Sequence, residues 1–61
     1  MTWGELIRRL KEAGFIELRH GKGSHLKLWS PANGRVVIVS VHTKTEVGTG
    51  LAQRILKDAG I

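Results

Sequence analysis

The stretch HLKLWSPANGRVVIVSVH, residues 25–42, contains two strand-like segments joined by a turn dipeptide, and it decides the fold class. Apolar and polar side chains alternate in HLKLW, while RVVIVSVH is rich in the β-branched residues that strands favour. Asn33-Gly34 is a dipeptide typical of tight hairpin turns. The sequence therefore predicts two antiparallel strands, at residues 25–29 and 35–42.

A third alternating segment, FIELRH at residues 15–20, lies just upstream. The connection to HLKLW is the short segment HGKGS, whose two glycines favour a turn, so we expect the three strands to form an antiparallel meander. In the first strand Ile16 and Leu18 alternate with Glu17 and Arg19. This alternation predicts that Ile16 and Leu18 point toward the core.

The second strand separates its side chains cleanly onto two faces. Leu26 and Leu28 alternate with His25, Lys27 and Trp29. Because one face of a small sheet must be covered by other elements, we expect the two leucines to point inward. His25, Lys27 and Trp29 then share an open face.

The third strand is apolar on both faces, so its orientation stays open at this point. Either the even or the odd positions face the core, namely Val36 and Ile38 or Val37, Val39 and Val41. If the second set is inward, His42 emerges on the same face as His25.

Helical periodicity flanks the strands on both sides. Thr2, with Glu5 three residues later, matches a capping box, and Gly14 offers a stop. The segment 47–59 returns to helical spacing. Its apolar stripe contains Leu51, Ala52, Ile55, Leu56 and Ala59. The order α-β-β-β-α predicts an α+β fold over residues 1–61, in which a three-stranded antiparallel sheet packs on two helices within a single domain.

The charge balance narrows the class of partner. The 61 residues include 10 Lys and Arg against 5 Asp and Glu, which gives a formal net charge of +5. Such an excess favours a polyanion such as RNA or DNA, or an acidic protein. A basic domain without such a partner is the plainer alternative.

The sequence also argues against disulfides, metal or cofactor sites, a signal peptide and membrane-spanning segments. The chain has no cysteine, and its three histidines are scattered without carboxylates at ligand spacing, so we expect no disulfide, no metal and no cofactor. The N-terminus lacks the apolar segment of a signal peptide, and no run approaches the roughly 20 apolar residues that span a bilayer. We therefore expect a cytoplasmic protein that does not interact with membranes.

Several short motifs together resemble one known family. They are KEAGF at residues 11–15, an R-x-x-x-G-S-H segment at 19–25 and ILKDAG at 55–60. This combination is similar to the HicA (YcfA-like) toxins, the mRNA interferases of type II toxin–antitoxin systems. The resemblance implies a double-stranded-RNA-binding-domain-like fold and a metal-independent endoribonuclease that cleaves mRNA. It also implies a catalytic histidine, His25 here, and a HicB-type antitoxin partner.

Such chemistry suits the residues around the glycine turn. RNA carries its own nucleophile, the 2′-hydroxyl, so cleavage requires a proton acceptor, a proton donor and positive charge near the phosphate. Histidine can exchange protons near neutral pH, and we expect His25 to act as general base or acid. The residues expected to contact RNA are Arg19, Lys22, Gly23, Ser24, Lys27 and Trp29.

The second proton-transfer group is less well defined. His42 is a candidate, but the family often has a proline and a histidine near the end of the third strand. Here Ser40-Val41-His42 keeps the histidine without the proline. The role of His42 therefore stays open, and a cation or water could act instead.

Two alternatives come from other functional classes. One is a non-catalytic RNA-binding module, and the other is a solitary HicA-like protein that has lost activity. Double-stranded-RNA-binding domains commonly carry a basic cluster at the start of the last helix. In residues 43–51 of this chain, Lys44 is the one basic residue. This difference argues against the binding module.

Overall fold

The computed structural model describes residues 1–18 and 23–61, and it confirms the α-β-β-β-α order. The elements are α1 (Trp3–Glu12), β1 (Ile16–Leu18), β2 (His25–Trp29), β3 (Val36–Ser40) and α2 (Thr49–Asp58). The strands form one antiparallel sheet in the order β1-β2-β3, so the predicted α+β class is confirmed. Residues 19–22, which include Arg19 and Lys22, lie outside the described residues. Within the described ranges, neither helix is long and apolar enough to cross a membrane.

Helix α1 begins with the predicted capping box. The backbone N–H of Glu5 donates to Thr2 Oγ1 at 3.2 Å, and the backbone N–H of Thr2 donates to Glu5 Oε1 at 2.9 Å. Each residue therefore satisfies a backbone donor that a helix start otherwise leaves unpaired. The backbone hydrogen bond from Thr2, followed by the one from its side chain, holds the pKa of Glu5 below its usual value.

The hydrophobic core lies between the two helices and one face of the sheet. In the ladder Leu28 is directly opposite Val37, and Leu26 is opposite Val39. Directly opposite residues share a face, so these four side chains point the same way. The buried apolar residues are Leu6, Ile7, Leu10, Phe15, Leu28, Val37, Val39, Val47, Ala52, Ile55 and Ala59. The open choice in β3 is thereby settled: the odd positions Val37 and Val39 face the core.

The predicted orientation of β1 is wrong. Ile16 pairs with Trp29 and Leu18 pairs with Lys27, so both apolar side chains of β1 lie on the open face of the sheet. Phe15, immediately before the strand, occupies the buried position instead. By alternation Glu17 belongs to the face of β1 that looks toward the core, but β1 is an edge strand. The Glu17 carboxylate forms an ion pair with Lys11 of α1, with Nζ 3.1 Å from Oε1.

The β2–β3 hairpin closes through a four-residue loop, residues 31–34, that contains the Asn-Gly dipeptide. Gly34 has φ +73° but Asn33 does not have a positive φ, so the tight two-residue turn typical of this dipeptide does not form. The N–H of Ser30 donates to the carbonyl of Arg35 at 2.9 Å, and the Oδ1 atom of Asn33 accepts from the N–H of Arg35, also at 2.9 Å. Arg35 Nη1 in turn donates to the carbonyl of Asp58 at 2.8 Å. This contact connects the hairpin to the end of α2 and satisfies one of the carbonyls that a helix end leaves free.

Helix α2 buries a narrower stripe than its sequence predicts. Ala52 and Ile55 are buried, and Leu56 packs against the core while partly exposed. Leu51 is 49% exposed, so its predicted place on the buried stripe is wrong. At 3.6 residues per turn, Leu51 lies about a quarter-turn from the centre of the buried stripe.

Candidate functional site

The G-S-H segment forms the entry to β2. Gly23 has φ +60°, in the left-handed region that glycine adopts at little cost, and an added Cβ would meet no atom within 4 Å. The position therefore requires glycine for its backbone conformation rather than for space. The carbonyl of Ser24 accepts a 2.9 Å hydrogen bond from the N–H of Val41, which fixes the turn against the end of β3.

The open face of β2 carries the three polar or amphipathic side chains that the alternation predicted there. His25 and Lys27 are exposed, and Trp29 is half-buried. On the opposite face Leu28 is fully buried and Leu26 is partly buried against the core. Because His25 and Lys27 are two residues apart on one strand, their Cα atoms are separated by about 7 Å.

His42 lies beyond the regular part of the sheet. β3 ends at Ser40, and the following Val41 is 41% exposed, so strand alternation does not assign His42 a face. The N–H of Thr45 donates to the carbonyl of His42 at 3.0 Å and closes a turn. His42 is exposed and lines a shallow cavity of about 330 Å³ with Val41, Thr43, Lys44 and Thr45.

The N-terminus of α1 holds the loop that contains His42. The N–H of Trp3 donates to the carbonyl of Thr45 at 2.9 Å, and the N–H of Gly4 donates to that of Thr43 at 3.0 Å. These bonds satisfy helix N–H groups that have no partner within the helix. Residues 41–45, which line the cavity, are called the cavity loop. Backbone hydrogen bonds therefore fix the start of α1 and the cavity loop to each other.

Ser40 is a site neighbour that the sequence analysis did not single out. It lies directly opposite His25 in the ladder, and its Oγ accepts a 3.0 Å hydrogen bond from the N–H of His42. Only the strand register reveals this, because a half-buried serine at the end of an apolar strand carries no distinctive sequence pattern.

Lys27 gives the site a positive charge that no ion pair among the described residues neutralises. The ion pairs among residues 1–18 and 23–61 join the N-terminal ammonium to Glu46 and Lys11 to Glu17, so Lys27 has no carboxylate partner there. In the same ranges no group of three or more His, Cys, Asp or Glu side chains is placed to hold a metal ion. Arg19 and Lys22, two of the expected RNA contacts, fall outside the described part of the chain and stay predictions.

Two comparisons with known proteins bear on this site. The sequence pattern of the family described as "HicA toxin of bacterial toxin-antitoxin" matches residues 3–61. A protein of Pseudomonas fluorescens (strain Pf0-1) named "Probable mRNA interferase HicA" is 38% identical over 61 residues, which cover 100% of this chain and 97% of that protein. The similarity thus includes both helices, the sheet and the G-S-H turn.

Proposed function

Because the chain belongs to the HicA toxin family, we propose that it is the toxin of a type II toxin–antitoxin system and cleaves mRNA as a metal-independent endoribonuclease. The proposed partner is a HicB-type antitoxin encoded by a neighbouring gene. The name of the Pseudomonas relative, an mRNA interferase, supports the same reaction. The net charge of +5 suits a polyanionic substrate.

The observation that carries this proposal is the exposed imidazole of His25 at the start of β2, with the exposed Lys27 on the same face. In the proposed reaction the 2′-oxygen of RNA attacks the adjacent phosphorus. The O2′–P bond forms, the P–O5′ bond breaks, and the products are a 2′,3′-cyclic phosphate and a free 5′-hydroxyl. His25 either accepts the 2′-hydroxyl proton or donates one to the departing 5′-oxygen.

The neighbours of His25 have distinct proposed roles. Lys27 provides positive charge for the phosphate as negative charge builds up in the transition state. Gly23 and Ser24 offer backbone N–H groups in a compact turn, an arrangement that suits anions. Trp29 offers a partly exposed ring on which a base can stack. His42 or a water molecule takes the second proton-transfer role.

The alternative, a non-catalytic RNA-binding module, has less support. A duplex-binding domain commonly uses a basic cluster at the start of its last helix. The first five residues of α2, TGLAQ at 49–53, contain no Lys or Arg, and the preceding loop contributes only Lys44. The scaffold therefore lacks the cations that this binding mode requires.

The test is to induce the chain in bacteria and follow growth and mRNA integrity together. We expect the wild-type chain to arrest growth and degrade mRNA, and His25→Ala to do neither while accumulating to the same level. Gln53→Ala is a matched control on the exposed surface of α2 and retains both effects. Growth arrest and mRNA degradation by His25→Ala would refute the assignment of the catalytic residue.

A further inference from the structure

The cavity loop, residues 41–45, lies next to His25, and most of it has no role in the proposed reaction. The N–H of Val41 donates to the carbonyl of Ser24 at 2.9 Å, and Ser40, which precedes the loop, lies directly opposite His25. The Cα atoms of directly opposite residues on antiparallel strands are about 5 Å apart. The loop therefore begins beside the strand position that carries the proposed catalytic residue.

Lys44 gives the cavity loop a positive charge. It is exposed, lines the cavity and forms no ion pair with a carboxylate of residues 1–18 or 23–61. The nearest carboxylate along the chain is that of Glu46, which lies 3.3 Å from the N-terminal ammonium and pairs with it. Among the described residues, no acidic side chain neutralises Lys44.

The backbone of the loop adds hydrogen-bond donors to this charge. The N–H of Thr45 donates to the carbonyl of His42 at 3.0 Å and closes a turn around Thr43 and Lys44. The carbonyl of Thr43 accepts from the N–H of Gly4, and a trans peptide directs its N–H opposite to its carbonyl, so the N–H of Lys44 points away from α1. Neither this N–H nor that of Thr43 donates to a group within the described ranges. Successive N–H groups in a turn form concavities that bind anions.

These groups suit a phosphate that stays partly in water. The cavity is shallow, and its volume of about 330 Å³ is near the lower end of the range of small-ligand sites, about 300–1,000 Å³. Lysine binds phosphate as a point charge, and hydroxyls such as those of Thr43 and Thr45 commonly contact the phosphates of nucleic acids. The backbone of RNA presents such phosphates in water.

The cavity loop and Lys27 lie in opposite directions from His25. Lys27 follows His25 by two residues along β2, whereas Val41 is hydrogen-bonded to Ser24, the residue before His25. Lys27 serves the scissile phosphate in the proposed reaction, so the loop lies where a neighbouring phosphate of the same strand would pass. Lys44 follows Val41 by three residues, a length that spans at most about 11 Å even when extended. The phosphate at the loop is therefore within a few nucleotides of the scissile bond.

We propose that the cavity loop binds a second RNA phosphate, one that flanks the scissile phosphate, through the Lys44 ammonium and the backbone N–H groups of Thr43 and Lys44. This inference rests on the proposed function, which makes RNA the ligand. It assigns the bound strand a path from Lys27 past His25 to the loop. The substrate is accordingly an RNA strand that continues beyond the two nucleotides joined by the scissile bond.

The test counts phosphate contacts from the salt dependence of binding. For a single strand, the logarithm of the binding constant falls with the logarithm of the salt concentration, with a slope of about 0.7 for each phosphate neutralised. The probe is a single-stranded RNA with methylated 2′-oxygens, which lacks the proposed nucleophile and stays intact. We expect Lys44→Gln to make the slope shallower by about 0.7. At low salt it should weaken binding about fivefold.

Lys57→Gln is the matched control. Lys57 is exposed and has no carboxylate partner among the described residues, so the variant removes the same charge. It belongs to the last turn of α2, which the bond from Arg35 Nη1 to the Asp58 carbonyl holds beside the hairpin loop, at the other end of β2 from His25. Lys57→Gln should keep the wild-type slope. Lys44→Arg keeps the charge and should keep the slope as well.

A double variant shows whether Lys27 and Lys44 hold different phosphates. Lys27→Gln and Lys44→Gln should each make the slope shallower by about 0.7, and together by about 1.4. A slope that changes only when both are replaced would assign the two lysines to one phosphate and refute the inference. A wild-type slope in Lys44→Gln, or the same change in Lys44→Gln and Lys57→Gln, would also refute it.

A separate arm of the test distinguishes RNA from a free anion. Shifts of the Thr43 and Lys44 amide signals in NMR spectra with inorganic phosphate, together with an unchanged RNA slope in Lys44→Gln, would assign the loop to a free anion and overturn the inference. Failure of the wild-type chain to bind the probe would overturn it too. Circular dichroism checks the fold of each variant, and Lys44→Ala replaces Lys44→Gln in the same comparison if the latter is unfolded.

The binding measurements decide this inference without any cleavage. The proposed function is tested separately, by the cleavage of ordinary RNA by the wild-type chain and by His25→Ala. A chain that cleaves RNA but shows the wild-type slope in Lys44→Gln refutes only the second phosphate contact.

Discussion

Ser40 lies directly opposite His25 in the β2–β3 ladder, and its hydroxyl oxygen accepts a 3.0 Å hydrogen bond from the backbone N–H of His42. The side chain of Ser40 thus connects the strand beside His25, the proposed catalytic residue, to the loop that contains His42. Together with the Val41–Ser24 backbone bond of 2.9 Å, this contact fixes that loop beside the G-S-H turn.

Replacement of Ser40 by alanine should destabilise the end of β3. Ser40→Ala removes the acceptor of the His42 N–H, and we expect it to lower the free energy of unfolding by about 1 kcal/mol. Ser40→Thr keeps the hydroxyl and should stay closer to wild type. Urea denaturation of the three proteins checks this, and equal stabilities would show that the bond contributes nothing.

Gly4 tests the fit between α1 and the cavity loop. A Cβ added at Gly4 would lie 3.0 Å from the carbonyl oxygen of Thr43 and 3.2 Å from its Cβ. Since the helix start and the loop are hydrogen-bonded there, Gly4→Ala should cost about 1–3 kcal/mol of stability through overpacking. Gly50→Ala, in α2 with no atom within 4 Å of the added Cβ, should instead stabilise by up to about 1 kcal/mol.

Thermal unfolding of the two alanine variants separates packing from backbone entropy. Each kcal/mol corresponds to a shift of about 4–8 °C in the melting temperature of a domain this small. The two variants should therefore shift in opposite directions. Stabilisation by Gly4→Ala would show that Thr43 moves aside without cost.

Gly23 tests the conformation of the turn that precedes His25. Gly23→Ala forces an alanine to φ near +60°, which costs about 1–2 kcal/mol. Asparagine tolerates this region better, so Gly23→Asn should retain more of the stability. Chemical denaturation measures both variants, and wild-type stability in Gly23→Ala would contradict the left-handed backbone at this position.

The capping box predicts a specific pH dependence. Hydrogen bonds from Thr2 lower the pKa of Glu5 below its usual value of 4.5 in the folded state. The contribution of Glu5 to stability is therefore complete above pH 4.5 and is lost as the pH falls through the lower folded value. Melting temperatures measured from pH 6 to pH 2.5 should fall more steeply for the wild-type chain than for Glu5→Gln. Parallel curves would contradict this assignment.

Most of the fold could be predicted because its signals are local. The capping box, the hairpin between β2 and β3 and the alternation of β2 each depend on residues close together in the sequence, and each is confirmed. The orientation of β1 could not be predicted in this way. Alternation shows that Ile16 and Leu18 share a face, but the helices decide which face is covered, and they cover the face of Phe15.

The candidate site was predictable only in part for the same reason. The alternation of β2 predicts that His25 and Lys27 are exposed, because Leu28, on the opposite face, is buried. The pairing of His25 with Ser40 depends on the strand register, which alternation alone does not define. The position of His42 depends on loop hydrogen bonds to α1 between residues distant in sequence.

The most direct test of the account is the product that the purified chain forms from a synthetic single-stranded RNA in the presence of a chelator. We predict that the wild-type chain releases fragments ending in a 2′,3′-cyclic phosphate and that His25→Ala, with the same fold by circular dichroism, releases none. Wild-type cleavage by His25→Ala, or fragments from the wild-type chain that never carry a cyclic phosphate, would contradict the proposed attack by the 2′-oxygen with His25 as the proton-transfer group.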